Sequence, residues 1–134
     1  MLGDLIAEAK GKRTGRRVLP TDGAGLKVEV AFESSGKLLG TDVHEIGTYV
    51  SGTRPDGTLY GEGQGVVLTA GGDAITWKGA GVGKFTGGGA VSYRGAVYYH
   101  SASPKFARLN SVAGVFEFEV DAAGNTSSKL WEWK

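Results

Sequence analysis

Cysteine is absent from the 134 residues, which excludes disulfides, thiolate metal sites and cysteine nucleophiles. Proline occurs only 3 times, too rarely for a polyproline or proline-rich disordered segment. No stretch approaches the roughly 20 apolar residues that a membrane-spanning helix needs. The first ten residues carry Asp4 and Glu8 inside their only apolar stretch, so they lack the uninterrupted hydrophobic run of a secretory signal. A cytoplasmic protein with no membrane partner is therefore expected. An excess of one charge is missing as well. Fifteen Lys and Arg stand against 14 Asp and Glu, for a net charge of +1, which supplies no global attraction for nucleic acid or an acidic partner. The local cluster Lys10, Lys12, Arg13, Arg16 and Arg17 has no interleaved aromatic residue and is explained as well by a solvated, bent strand, so no nucleic-acid partner is expected.

Helical periodicity is also scarce, and what replaces it is glycine. There are 24 glycines, far above the usual share of about 7%. They alternate with Val, Tyr, Trp and Phe, which argues against disorder. In Gly61-Glu62-Gly63-Gln64-Gly65 and Gly79-Ala80-Gly81-Val82-Gly83 glycine occupies every second residue of a strand-like segment, and a period of two places it on one face. Interior glycine weakens a strand, so such a stripe implies that the missing side chains leave needed space or permit close approach.

The turns set the expected registers. Glu33-Ser34-Ser35-Gly36-Lys37, Arg54-Pro55-Asp56-Gly57-Thr58 and Asp121-Ala122-Ala123-Gly124-Asn125 each fit a three-residue hairpin loop that ends in a left-handed glycine. They pair Phe32 with Leu38, Val50 with Glu62 and Glu117 with Lys129. A two-residue Gly71-Gly72 turn would pair Leu68 with Ile75, and the 86–90 loop would pair Phe85 with Val91. The strands so delimited are 3–17, 26–33, 37–53, 58–70, 73–85, 90–101, 111–121 and 125–133, with a helical turn expected within 102–110. An antiparallel meander of eight strands removes its edges by closure. The expected fold is an all-β, single-domain, eight-stranded up-and-down β-barrel over 1–134; an open sheet or two-layer sandwich is the alternative.

With these registers the inner face runs through Val28, Val30, Phe32, Leu38, His44, Ile46, Val50, Val66, Leu68, Ile75, Trp77, Phe85, Val91, Tyr93, Val97, Tyr99, Phe116, Phe118 and Leu130, interrupted by Asp42, Thr48, Tyr60, Glu62, Gln64 and Glu132. A carboxylate inside a barrel is costly unless neutralised or held by donors, so Glu62 is the candidate acid or base. Thr48, Tyr60, Gln64, Trp77, Tyr93, Tyr99, Phe116 and Phe118 are the candidate ligand-binding residues. An eight-stranded barrel either fills with side chains or holds one small ligand; glycine at mid-height favours a cavity, whereas an aromatic laid over the glycines would fill it. His44 with Asp42 is expected to hydrogen-bond near a rim. His44 and His100 fall on different faces, so no metal is expected. The glycine stripes match neither a dinucleotide fingerprint nor a phosphate loop, and no cofactor is expected. Trp131 and Trp133 are placed outside, at the seam with the first strand, where they could join a homodimer.

Arg54-Pro55-Asp56-Gly57-Thr58-Leu59-Tyr60-Gly61-Glu62-Gly63-Gln64-Gly65, Ala102-Ser103-Pro104-Lys105, Arg108-Leu109-Asn110 and Leu130-Trp131-Glu132-Trp133 resemble a small prokaryotic family of uncharacterised proteins. In architecture the chain is similar to calycin-like barrels, most of all allene oxide cyclase-like ones. That resemblance implies a hydrophobic lumen for an apolar substrate, with a glutamate and polar helpers assisting cyclisation. Three functions are thus expected: binding of a small apolar or amphipathic molecule, a cofactor-independent isomerase or cyclase acting through Glu62, or a filled barrel that works through its surface.

Overall fold

The computed structural model describes residues 1–134. Its elements are β1 (Leu2–Val18), β2 (Lys27–Leu38), β3 (Thr41–Thr53), β4 (Leu59–Thr69), β5 (Ala74–Gly87), β6 (Ala90–His100), a 3-10 helix (Pro104–Ser111), β7 (Ala113–Val120) and β8 (Asn125–Trp133). All eight strands pair antiparallel with their sequence neighbours, and β1 with β8 closes the barrel. No helix is long and apolar enough to cross a membrane.

Three of the five expected hairpin registers are present: Val50 with Glu62, Phe85 with Val91 and Glu117 with Lys129. The other two are corrected. Ser34-Ser35-Gly36 is turn-like in composition but continues β2, and the chain reverses at Leu39-Gly40, both with positive φ (49° and 79°). That conformation is the one a two-residue hairpin of right-handed twist demands. Leu39 accepts it because its side chain packs on the core and its amide donates to the Ile6 carbonyl. Between β4 and β5 the loop has three residues, not two. Thr69 and Asp73 close it, with the Thr69 amide donating to Asp73 O and the Gly72 amide to Thr69 O, each at 3.1 Å.

A slip of one residue exchanges every side chain between faces. The first correction therefore turns β3 and β4 over, and the second restores β5 onward. Val43, Glu45, Gly47, Tyr49 and Ser51 of β3 and Leu59, Gly61, Gly63, Gly65 and Val67 of β4 face inward. Their neighbours His44, Ile46, Thr48, Val50, Tyr60, Glu62, Gln64, Val66 and Leu68, expected inside, line the outer wall. His44 bonds Glu33 through Nε2 at 2.9 Å on that exterior, and Asp42 pairs with Lys37 at 2.7 Å.

With both stripes turned inward, glycines meet across the ladder: Gly61 with Gly81, Gly63 with Gly79, and Gly81 with Gly95. One end of the barrel beside this bare wall is sealed. There the 3-10 helix drops Phe106 and Leu109, both 0% exposed, onto Ile6, Leu38, Val67, Ile75, Val97, Val112 and Leu130. Ser101 and Asn110 fasten the helix: the Asn110 side chain accepts from the Ser101 amide at 2.8 Å and donates to the Ser101 carbonyl at 3.0 Å. At the opposite end a bulge between Arg13 and Gly15 shifts the β1 register, so that both Arg13 and Arg16 stand opposite inward residues, Phe32 and Val30. Bulges commonly re-aim side chains at barrel rims in this way. Neither arginine has a carboxylate partner among the ion pairs of the protein.

Candidate functional site

Between the sealed core and the open rim lies a cavity of about 130 Å³. Gly61, Gly63, Gly79 and Gly81 contribute bare backbone to its lining; aromatic rings and aliphatic side chains such as Val67 and Val97 supply much of the rest. Phe32, Tyr49, Tyr93 and Phe118 form one cluster, with neighbouring ring centroids 5.3–6.2 Å apart, and Trp77 joins it through Phe32 at 6.4 Å. These separations suit tilted and edge-to-face aromatic contacts.

The glycines do two jobs. A Cβ on Gly65 would fall 2.4 Å from the Trp77 indole nitrogen and one on Gly83 2.6 Å from the Tyr93 ring, so these positions are empty because an aromatic lies over them. A Cβ on Gly61 would meet nothing closer than 3.6 Å, the Tyr93 ring and the Val50 carbonyl oxygen at ordinary contact distance, so a methyl fits there without strain. Both alternatives drawn from the glycine pattern hold, each at a different height: rings fill part of the lumen, and a ring-sized hollow remains.

Inside this hollow stands one carboxyl group, Glu45. Its Oε1 accepts a hydrogen bond from Ser34 Oγ at 2.8 Å, from the residue directly opposite on β2. Burial raises the Glu45 pKa above the usual carboxylate value, and the bonds offered by Ser34 and the nearby Trp77 indole oppose that rise only in part; desolvation disfavours the charged form more than these donors favour it. Trp77 Nε1–H is fully buried and acts on the Glu45 carboxyl group from outside ideal hydrogen-bond alignment. Tyr99 lines the same space. Burial, and then the charge of Glu45, push its phenol pKa well above the normal value. Higher in the lumen Ser51 Oγ and Tyr93 Oη are bonded to each other at 2.7 Å. The Tyr49 hydroxyl is also raised by burial, while the positive charges of Arg13 and Arg16 at the rim pull the other way.

Of the residues expected at the site, Trp77, Tyr93, Tyr99, Phe116 and Phe118 line the cavity together. Thr48, Tyr60 and Gln64 project from the outer wall. Glu62 is also outside: it is exposed and accepts a hydrogen bond from Tyr60 Oη at 2.9 Å on the surface. Only its backbone borders the lumen, so the expectation of an inward Glu62 carboxylate is corrected, and the cause is the β2–β3 turn. Glu45 was missed for the same reason. The available signal was the pair of glycine stripes, which come together on one face only if the β4–β5 register moves by one residue. Glu132, on β8, is held by Arg108 of the 3-10 helix, and Trp131 and Trp133 pair with Leu5 and Leu2 at the β1–β8 seam. No group of three or more His, Asp or Glu residues is arranged to hold a metal ion.

The fold defines the class: a closed, eight-stranded antiparallel barrel with one end capped. No protein-family model matches the chain, and no curated protein does. Solved structures do. A protein of unknown function from Clostridium acetobutylicum ATCC 824 aligns with a TM-score of 0.83 at 13% identity, over 98% of each chain. A β-barrel-like protein from Acinetobacter baumannii AYE aligns at 0.82 and 13% identity, over 100% of this chain and 96% of the other. An enzyme from Penicillium herquei aligns at 0.68 and 16% identity, over 96% and 92%. At these identities the likeness is one of fold, and such a fold hosts unrelated functions.

Proposed function

We propose that this barrel binds a small, mostly apolar molecule in its lumen, with Glu45 and the aromatic rings around it contacting the ligand. The observation that carries this reading is the cavity of about 130 Å³, whose lining includes Gly61, Gly63 and Gly79 together with Phe32, Trp77 and Phe116. Apolar cavities of about 150 Å³ are known to stay dry and take up benzene. Interior glycine has a cost in strand stability, and a ligand whose ring needs that space accounts for it. The lumen also accords with the allene oxide cyclase-like and calycin-like resemblance, with Glu45 in place of Glu62 as the enclosed carboxyl group.

Benzene, titrated into the protein and followed by shifts of the methyl resonances of Val67 and Val97, tests the reading. Saturable shifts are expected, together with a rise in Tm. Gly61→Leu should abolish both, because a Cβ fits at this position with no contact under 3.6 Å and the added side chain takes up space at a residue that lines the cavity. A folded protein whose lumen methyls ignore benzene would overturn the proposal.

A second reading has one specific observation in its favour. A carboxyl group raised by burial, within a water-poor pocket, is how proteins arrange a general acid or base near neutral pH. Glu45 would then transfer a proton in an isomerisation or cyclisation. The Penicillium herquei protein, described as an enzyme, illustrates that such a barrel is compatible with catalysis. Glu45→Gln distinguishes the two: it keeps size and the Ser34 bond, so binding should persist while any turnover stops.

A further inference from the structure

Glu45 is the one acidic side chain that faces the hollow, and it has no counter-ion. It enters none of the ion pairs of the protein. His44, its chain neighbour, lies on the outer wall and bonds Glu33 there at 2.9 Å. Two lysines border the hollow, but Lys37 is held by Asp42 on the exterior at 2.7 Å, and Lys129 is exposed on the outer wall opposite Glu117. The rim charges of Arg13 and Arg16 act on Tyr49 and not on Glu45. What surrounds the carboxyl group instead is hydrogen-bond donors. Ser34 Oγ–H donates to its Oε1 at 2.8 Å, and the Trp77 indole acts on the same group. Such donors favour the carboxylate over the neutral acid. Burial without a partner charge opposes it, since buried charges in proteins are paired. The immediate surroundings thus fit an anion, and the element they lack is a cation.

We infer that the lumen is a site for a compact nitrogen base, bound in its protonated form, whose N–H donates to the Glu45 carboxylate while aromatic rings face its apolar part. This inference rests on the lumen-binding reading and adds the chemical class. A base that enters as a cation meets the carboxylate directly; one that enters neutral takes the Glu45 proton, so that N–H⁺ and carboxylate form together and the charges balance. The third donor then completes the set begun by Ser34 and Trp77. The walls suit the same ligand, because Phe32, Trp77, Tyr99 and Phe116 line this space, and desolvated cations are attracted to the faces of aromatic rings. An anionic ligand is disfavoured, because its charge would face the Glu45 carboxyl group. A neutral hydroxyl group supplies a hydrogen but no charge, and leaves the buried carboxylate without its counter-ion. Size limits the class further: a cavity of about 130 Å³ takes a single ring and not a long polyamine, since one of about 150 Å³ holds benzene.

The test compares imidazole with pyrazole, two rings of the same atoms and size that differ in basicity, and adds benzene and benzoate. Imidazole gains its proton near neutral pH, as the histidine ring does at about 6.5, whereas pyrazole stays neutral there. Binding is read from the methyl shifts of Val67 and Val97, and the charge of the acid from the ¹³C resonance of Glu45 Cδ, assigned by its absence in Glu45→Gln. Imidazole is expected to bind at least about tenfold more tightly than pyrazole, the order of one charge-assisted hydrogen bond, and Glu45 Cδ in its complex should have the shift of an ionised carboxylate. In Glu45→Gln the two rings should bind equally while benzene binds as before, which a merely structural role for Glu45 would not produce. Imidazole and pyrazole binding the parent equally, or a neutral Glu45 carboxyl group in the imidazole complex, would overturn the inference but leave the lumen reading standing if benzene binds. A preference for imidazole that survives Glu45→Gln would overturn it by placing the cation elsewhere, and benzoate binding most tightly would overturn it in favour of an anion. No binding by any of the four would remove both the inference and the reading beneath it.

Discussion

The two ends of the lumen solve the interior of an eight-stranded barrel in opposite ways. Below, a loop has been folded into a 3-10 helix whose Phe106 and Leu109 complete a dry core with seven residues from the strands and the helix's own exit. Above, five glycines meet across β4, β5 and β6, and the space they leave is shared between aromatic rings and a cavity. The comparison separates stability from function within one small domain. Packing is concentrated where the chain closes the barrel, which frees the middle to remain incompletely filled, and the buried carboxyl group sits at the boundary between the two regimes.

Truncation at the sealed end should have the largest effect. Phe106 is 0% exposed, and Phe106→Ala removes a ring whose surroundings cannot collapse onto it, with an expected loss of about 3–5 kcal/mol. In the hollow, Phe116→Leu should cost less than about 1.5 kcal/mol, since the substitution keeps an apolar side chain beside space that already exists. Urea unfolding of both variants checks the contrast. Equal losses would mean that the middle is packed as tightly as the end.

The glycines give the next test. A Cβ at Gly95 would fall 2.1 Å from the Ala80 carbonyl oxygen and 2.6 Å from Gly81 Cα, whereas at Gly61 the nearest atoms are 3.6 Å away. Gly95→Ala must push two strands apart and should destabilise by about 1–3 kcal/mol. Gly61→Ala should be neutral or slightly stabilising, because alanine lowers the entropy of the unfolded chain without strain in the folded one. Thermal unfolding decides whether these glycines serve close strand approach in one case and open space in the other. A marked loss at Gly61 would join the two into one class.

Much of this architecture could be read from residue patterns. Strand number, closure, the helical connection and the registers set by Pro55-Asp56-Gly57, by the 86–90 loop and by Ala122-Ala123-Gly124 follow from turn chemistry that acts locally. The faces of β3 and β4 did not. The inner residues of β3 include Glu45, Gly47 and Ser51, while the outer ones include Ile46 and Val50, so the apolar side is the wrong side. Alternation reports burial against a filled core; where the lumen is hollow and carries polar groups, the rule weakens or reverses. Register then depended on a turn at Leu39-Gly40 whose first residue has a positive φ of 49°, a conformation leucine seldom adopts and one that only tertiary packing supports. Five of the residues expected around a ligand lie on strands beyond that error and do line the cavity. The carboxyl group, on β3, was displaced from Glu45 to Glu62.

The smallest expected effect bears most directly on that displacement. Glu45 has a folded-state pKa above its unfolded value. The folded protein therefore holds the proton more tightly than the unfolded chain, and stability must decline as pH rises from the unfolded value through the folded one. The slope can reach about 1.4 kcal/mol per pH unit for a single group. Glu45→Gln has no proton to lose, so its Tm relative to the parent should climb as pH rises from about 4 toward neutrality, beginning near the ordinary carboxylate pKa. Taking the difference between the two proteins cancels the surface carboxylates Asp42, Asp56, Asp73 and Asp121, whose pKa values are lowered and whose contributions vanish in acid instead. Glu62→Gln, on the exposed outer wall, should change stability by no more than the ±0.5 kcal/mol or so usual for surface changes. Should the two variants exchange behaviours, the inward carboxyl group would be Glu62 and the β2–β3 turn would lie at Ser34-Ser35-Gly36 after all; a profile in which only Glu45→Gln departs from the parent places the titrating group opposite Ser34, inside the hollow.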